Sequence, residues 1–471
     1  MNGDPGATAL TLPTVSVVST RLSALDASFL EVETMAAHMH VGWVAHFTGR
    51  EGRRAPSFDE LQEHIAGRLG AAPRYRQRLV TVPLGVHDPV WADDPDFRIE
   101  NHVRRADSSD VGVAADAVMS CPLARDRPLW EMWIAEDRDD GGFAVVGKAH
   151  HCMVDGLAAF ELGMALLDPE RDPRREPPAA YEARPAPAAV PLLARAVVDR
   201  VGETLGVARA GLGLARSPTR LRATPGELTR VGRALAHAIL PFAPASALNG
   251  ASSPSRHLAS LRRPLDDLRR IKKRHHTTVN DVLLAAVAGA LRAFFVERGE
   301  VAVDLKSMVP VSVRGDDGAG ALGNRIAFLF TELPCAEPDP LARLLKINAV
   351  TARRKAAHEA EGSDAAMRAL AHVPRTLQRA ASHLVASPRT FNLVVSNIPG
   401  PPQPLYMLGC ELTHAYPVVP LANGHALSIG MTSIQGEACL GLYADRQTLP
   451  DVDRLAGHLD SAIDELLDLS R

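Results

Sequence analysis

The chain has 471 residues, 46% of them hydrophobic and 23% charged, a size and balance that point to two or three packed domains. Its 52 basic and 55 acidic side chains leave a net charge of −3, which argues against a global basic footprint for nucleic acid, and 4% aromatic residues argue against a stacking platform for single strands. The five cysteines are scattered without a CxxC pair. Neither a disulfide framework nor a structural zinc site is therefore expected, and a reducing, cytoplasmic compartment fits best.

Residues 1–20 are small and largely uncharged and read as a loose tail, with no secretory leader expected. No uninterrupted apolar run approaches the roughly 18 residues of a bilayer span. From Arg21 the pattern is mixed α/β. Phe58–Leu69 reads as a helix with Leu61, Ile65 and Leu69 one turn apart; Trp130–Glu136 and Phe143–His150 read as strands; Gly156–Leu167 reads as a helix. The unbroken apolar run beginning at Phe143 predicts a strand covered on both faces. Asp168–Val190 is rich in Pro, Arg and Ala and reads as an exposed linker. Two amphipathic helices follow. The first carries a stripe of Leu193, Val197, Val201 and Leu205; the second opens on a capping box with proline at its first position, Thr224-Pro225-Gly226-Glu227. Over 191–247 eight Arg face only Asp199, Glu203 and Glu227.

A second mixed block runs from about 261 to the end. Thr278-Val279-Asn280-Asp281 opens an apolar helix, and strands are expected at Ser307–Val313, Ile326–Thr331, Leu393–Ser396, Ala426–Ile434 and Ala438–Tyr443. The last two form a hairpin through Gln435-Gly436. A closing helix carries Leu455, Leu459, Ile463 and Leu466. The expected organisation is a tail (1–20), a first half (21–170), a linker with helices (171–260) and a second half (261–471), with a cleft between the halves.

The stretch with chemistry in it is Lys148-Ala149-His150-His151-Cys152-Met153-Val154-Asp155-Gly156, an HHxxxDG pattern where a buried strand ends. A neutral histidine there can take a proton from a hydroxyl as its oxygen attacks an acyl carbon. Asp155 can fix the ring or hold the loop through an arginine, and Gly156 lets the chain leave the turn. Three plainer readings stand beside this one: a satisfied core histidine, part of a metal site that lacks a third ligand nearby, and Cys152 as a nucleophile.

At these residues the sequence resembles the bacterial wax ester synthase/diacylglycerol acyltransferase family, within the CoA-dependent acyltransferases that share HHxxxDG. The likeness extends to Leu22–Leu30, Met39-His40-Val41-Gly42, Pro128-Leu129-Trp130, Asn280–Ala285, Met308–Arg314, Gly323-Asn324 and Ser396–Pro401, in order along the chain. It is weakest over 171–262, and Leu157-Ala158-Ala159 departs from the small residue and glycine of many relatives.

The resemblance implies an α/β fold of two chloramphenicol-acetyltransferase-like mixed-sheet halves with a tunnel between them. It implies His151 as general base in a catalytic set with His150 and Asp155. Arg314 is the candidate partner of Asp155, and Gly156, Arg314 and Asp281 support the site. Asn280, Asn324, Ser396 and Asn397 are implied at the substrate. For Asn280 and Asp281 simple helix capping is an equal reading, and for Asn324, Ser396 and Asn397 turn chemistry that shapes the tunnel is the favoured one. The implied activity is transfer of a fatty acyl group from acyl-CoA to diacylglycerol or a long-chain alcohol, with no bound cofactor or metal. The rivals are a sister acyltransferase acting on another lipid or polyketide alcohol and a lipid-binding pseudoenzyme. The expected partners are acyl-CoA, a lipid alcohol and a membrane or lipid-inclusion surface, the last met through the Arg-rich helices.

Overall fold

The computed structural model describes residues 20–49, 52, 54–136, 141–153, 163, 166–172, 181–216, 240–312, 326–356 and 375–471. The chain opens with β1 (Thr20–Arg21), α1 (Ala24–Val32), β2 (His40–Thr48), α2 (Phe58–Arg68), β3 (Gln77–Val80), β4 (Val90–Asp93), β5 (Val103–Arg105), α3 (Val111–Ser120), β6 (Trp130–Ala135) and β7 (Phe143–His150). Then come α4 (Ala189–Arg216), β8 (Arg256–Pro264), α5 (Leu265–His275), α6 (Val279–Glu297), β9 (Leu305–Ser312), β10 (Ile326–Leu333), α7 (Pro340–Ala356) and α8 (Arg375–Val385). The chain closes with β11 (Leu393–Ile398), β12 (Tyr406–Met407), β13 (Cys410–Val418), β14 (Leu427–Ile434), β15 (Glu437–Asp445) and α9 (Val452–Asp468).

Two six-stranded mixed sheets carry the halves. One runs β12-β13-β2-β7-β6-β5 and the other β10-β9-β11-β14-β15-β8; a small sheet, β1-β4-β3, flanks the first. Local signals start the helices where the sequence predicts. Ser57 and Glu60 form a reciprocal capping box on α2, and Thr278 and Asp281 do the same on α6. Every residue of β7 is buried, as its unbroken apolar run requires. The β14–β15 hairpin turns through Gln435 and Gly436, with φ of 48° and 86°, the left-handed pair of a two-residue turn. Leu455, Leu459, Ile463 and Leu466 of α9 are all in the second half's core.

Three features go beyond the sequence reading. First, the two halves interlock along the chain. β8 begins at Arg256, and β13, late in the chain, crosses over to pair antiparallel with β2 of the first half, Val418 opposite Gly42 and Tyr416 opposite Val44. Second, α4 does not bury the stripe read from its sequence. Among its residues whose burial is described, Leu192 and Ala196 are buried, packed on Val82 and Val90, and Leu193 is half-buried, while Val197 and Val201 face outward; Leu205 of the stripe lies outside that description. Adjacent Leu192 and Leu193 allow two helical registers. The contacts of this face settle the choice, with Asp199 accepting from Arg21 at 2.7 Å and the Arg200 Nε donating to the Val86 carbonyl at 3.2 Å. Third, α6 is long and apolar enough to cross a membrane by length and composition, yet it is mostly buried, packed between α9 and α7 as a core helix. The capping box at Thr224–Glu227 and all of Gly156–Leu167 except Gly163, Leu166 and Leu167 lie outside the described residues.

Candidate active site

The two histidines of the motif leave β7 on different sides. His150, the last strand residue, has no solvent exposure. Its backbone N–H donates to the Leu129 carbonyl at 2.9 Å, and its Nδ1 accepts the Cys152 N–H at 3.0 Å. The ring proton therefore sits on Nε2, 3.6 Å from Oε1 of Glu33, whose other carboxylate oxygen pairs with Arg125. Burial, reinforced by the Arg125 charge, holds His150 well below the usual histidine range, so the ring is neutral.

His151 turns the other way. Its backbone N–H donates to the Met39 carbonyl at 3.0 Å, and its ring stacks on Phe29 with centroids 3.9 Å apart and planes 10° from parallel. Phe29 belongs to α1, which Ser23 caps by accepting from the Asp26 N–H. The ring of His151 lines a cavity of about 400 Å³ between the two large sheets, within the usual range of roughly 300–1,000 Å³ for small-molecule sites. The first half contributes Val41, Trp43 and Met132; β13 contributes Leu412 and Ala415; the second half contributes Met308, Pro310 and Val394. Apart from Trp43, the polar side chains on the wall among the described residues are His151, Ser396, Asn397 and Thr432.

Neighbouring residues hold this corner in place. Trp130 is buried, with its indole N–H donating to the Tyr75 carbonyl at 2.8 Å, so Pro128-Leu129-Trp130 is packing that also supplies the carbonyl for His150. Lys148 is buried as well. Its ammonium donates to the Val118 and Cys121 carbonyls at 2.8 and 2.9 Å, closing the C-terminal end of α3. Cys152 is in the core, and burial pushes its thiol far above the ordinary range, which removes the nucleophile reading. Among the described residues no three His, Cys, Asp or Glu side chains converge as a metal site needs.

Residues 22–283 match the family model of the wax ester synthase/diacylglycerol acyltransferase catalytic domain, and residues 322–467 match the WS/DGAT C-terminal domain. The chain belongs to the wax ester synthase/diacylglycerol acyltransferase family. It is 32% identical to a Mycobacterium tuberculosis protein that carries the name probable diacylglycerol O-acyltransferase Tgs2, over 94% of this chain and 97% of that one. The wax ester synthase/diacylglycerol acyltransferase from Marinobacter aquaeolei VT8 superposes with a TM-score of 0.68 at 26% identity, covering 96% of this chain and 99% of that one. The first condensation domain of the calcium-dependent antibiotic synthetase shares the fold, with a TM-score of 0.60 at 17% identity and 97% coverage of each chain.

In this WS/DGAT-family chain the remaining residues singled out from sequence fall into three groups. Ser396 and Asn397, on β11, line the cavity with His151. Asp281 is buried at the start of α6; besides capping, it accepts from Asn348 Nδ2 at 3.0 Å and Thr351 Oγ1 at 2.7 Å of α7. Asn280, half-buried on the same first turn, is not part of the cavity wall. The capping reading therefore accounts for Asp281. Asp155, Gly156, Arg314 and Asn324 lie outside the described residues. Sequence reasoning missed Phe29, Met39 and Thr432 as wall residues. The first two stood inside the family-like stretches but carried no chemical signal of their own, and Thr432 stood outside them.

Proposed function

We propose that the protein moves a fatty acyl group from acyl-CoA to the hydroxyl of diacylglycerol or a long-chain alcohol, with His151 as general base. The observation that carries this reading is the His151 ring on the wall of a large, mostly apolar cavity between the two halves. The alcohol oxygen attacks the thioester carbon while the imidazole takes the hydroxyl proton. The resulting tetrahedral intermediate collapses with cleavage of the C–S bond, and the imidazolium returns the proton to the departing CoA thiolate. The thioester is already activated, so the step needs neither a metal nor an acyl-enzyme.

The cavity wall suits such ligands. Moving a methylene out of water is worth about 0.8 kcal/mol, so a 16-carbon chain gains on the order of 12 kcal/mol before the costs of ordering it. Substrates of this kind reside in lipid, and the outward valines of α4 supply an apolar face with which to meet it. Val190, Val197, Val198 and Val201 are exposed, Val198 by 68%, with Arg195 exposed beside them. On this reading the enzyme works in the cytoplasm at the inner face of the membrane or on lipid inclusions.

The test is a product profile from purified protein given palmitoyl-CoA with diacylglycerol and hexadecanol together. Triacylglycerol or wax ester formed with release of free CoA is the expected result. Absence of both products with these and shorter acyl donors would refute the reading.

A further inference from the structure

Thr432 is the unexplained polar group of the cavity. On β14, Leu427, Ile429 and Met431 enter the helix-covered core of the second half. Strand alternation sends Ser428, Gly430 and Thr432 the other way, toward the first half. The Ser428 hydroxyl donates to the Val419 carbonyl at 2.6 Å. Gly430 offers no side chain, and a Cβ there would sit 2.9 Å from Val419 Cγ2.

Thr432 differs from both. It is 2% exposed and lines the cavity, and its hydroxyl has no hydrogen-bond partner among the described residues. Its strand is laddered on both sides, with Thr432 opposite Ile398 of β11 and Cys439 of β15. Gly400 lies alongside; a Cβ there would collide with the Ser433 carbonyl and come within 3.1 Å of the Thr432 hydroxyl, so the chain passes close to both only as glycine.

A buried hydroxyl left unpaired is costly, and folded proteins rarely tolerate one without a use. This one faces the space that a ligand would fill. A cavity with apolar walls and few polar groups orients its ligand through those groups. Near its reacting end an acylated lipid carries ester or thioester carbonyl oxygens, which can only accept, and a threonine hydroxyl can donate.

We infer that Thr432 donates a hydrogen bond to the carbonyl oxygen of an acyl ester or thioester held in the cavity, a polar anchor supplied by the half of the molecule opposite His151. This rests on the acyl-transfer reading for the identity of the ligand. The binding itself can be measured without turnover.

The experiment compares each carbonyl ligand with its ether analogue by titration calorimetry on the full chain: palmitoyl-CoA against S-hexadecyl-CoA, and dioctanoylglycerol against 1,2-di-O-octylglycerol. Wild-type protein should bind the carbonyl member of at least one pair about five- to tenfold more tightly. Thr432→Val should abolish that difference while leaving affinity for the ether within about twofold, and Thr432→Ser should restore it. The pair affected tells whether the anchored carbonyl belongs to the acyl donor or to the acceptor.

Lack of discrimination by the wild type in either pair would overturn the inference, as would an equal loss for ester and ether in Thr432→Val. If the valine variant does not fold, Thr432→Ala is read by the same comparison. A wild type that discriminates between the pairs yet forms no acyl-transfer product would instead remove the acyl-transfer reading and leave the anchor standing.

Discussion

Two adjacent histidines with the same covalent chemistry acquire different work from their surroundings. His151 holds its ring flat on Phe29 at the cavity wall. His150 is sealed in, accepting from Cys152 and facing the Glu33–Arg125 pair. Replacing His151 with Ala should lower kcat about 10²–10⁴-fold while the circular dichroism spectrum and the unfolding midpoint stay close to wild type. His150→Ala should act through stability. It removes a buried ring and leaves the Cys152 N–H without its acceptor, a penalty of about 1–3 kcal/mol for the lost hydrogen bond alone, readable by urea unfolding. An adjacent pair of this kind shows a strand end in the sequence; which ring meets the substrate depends on which side of the sheet the cavity lies.

At the level of elements, α6 and α4 illustrate opposite outcomes. The start of α6 is legible because Thr278 and Asp281 cap each other locally, but the Asp281 carboxylate also ties α6 to α7 through Asn348 and Thr351. Asp281→Ala should therefore cost more than a simple cap, about 2–3 kcal/mol in chemical unfolding, because the half-buried Asn348 amide loses its acceptor and Thr351 keeps only the Asn348 carbonyl at 3.1 Å. In the described part of α4, 189–202, the buried positions are Leu192 and Ala196, and the valines of the outward face have nothing covering them among the described residues. Changing Val197, Val198 and Val201 together to Ser should reduce co-flotation with anionic liposomes, with turnover of a water-soluble short-chain substrate retained; unchanged flotation would remove α4 from the lipid contact.

Across the whole molecule, the halves are joined by chain crossing and by charge. β13 completes the first sheet while its Pro417 packs on Gly430 of the second, so neither half is independent of the other. Arg256, buried on β8, donates to the Ala36 carbonyl of the first half and pairs with Asp445 at 3.5 Å.

His257 makes a second bridge. Its ring nitrogens lie 2.6 Å from Asp116 on α3 and 2.8 Å from Asp453 on α9, with Arg446 3.6 Å from the same Asp116 oxygen. Burial of the ring opposes its protonation, but the two carboxylates outweigh that cost and raise its pKa above the ordinary 6.5. The folded state then holds the proton more tightly than the unfolded chain does. The bridge contributes fully below about pH 6.5 and is lost as pH rises through the raised folded value. Thermal midpoints should fall between about pH 6 and pH 9 more steeply in wild type than in His257→Gln, and parallel slopes would show that the bridge does not contribute.

Much of the fold was readable because its signals are local. The β7 apolar run, the α2 spacing of Leu61, Ile65 and Leu69, the α6 start at Thr278, the left-handed Gln435-Gly436 turn and the α9 stripe each need only neighbouring residues to act. The HHxxxDG histidines stood out as candidate chemistry at a strand end, whereas Ser396 and Asn397 entered through the family resemblance, with turn chemistry as the favoured reading; both line the cavity. Tertiary structure decided what depends on distant partners: β13 joining a sheet that begins some 370 residues earlier, the face α4 turns inward, and the separation of His150 from His151. It also placed Phe29, Met39 and Thr432 on one cavity wall. The physical reason is common to all of these. Hydrogen-bonded turns and caps are settled within a few residues, whereas burial and cavity walls are made by surfaces that meet only once the chain has folded.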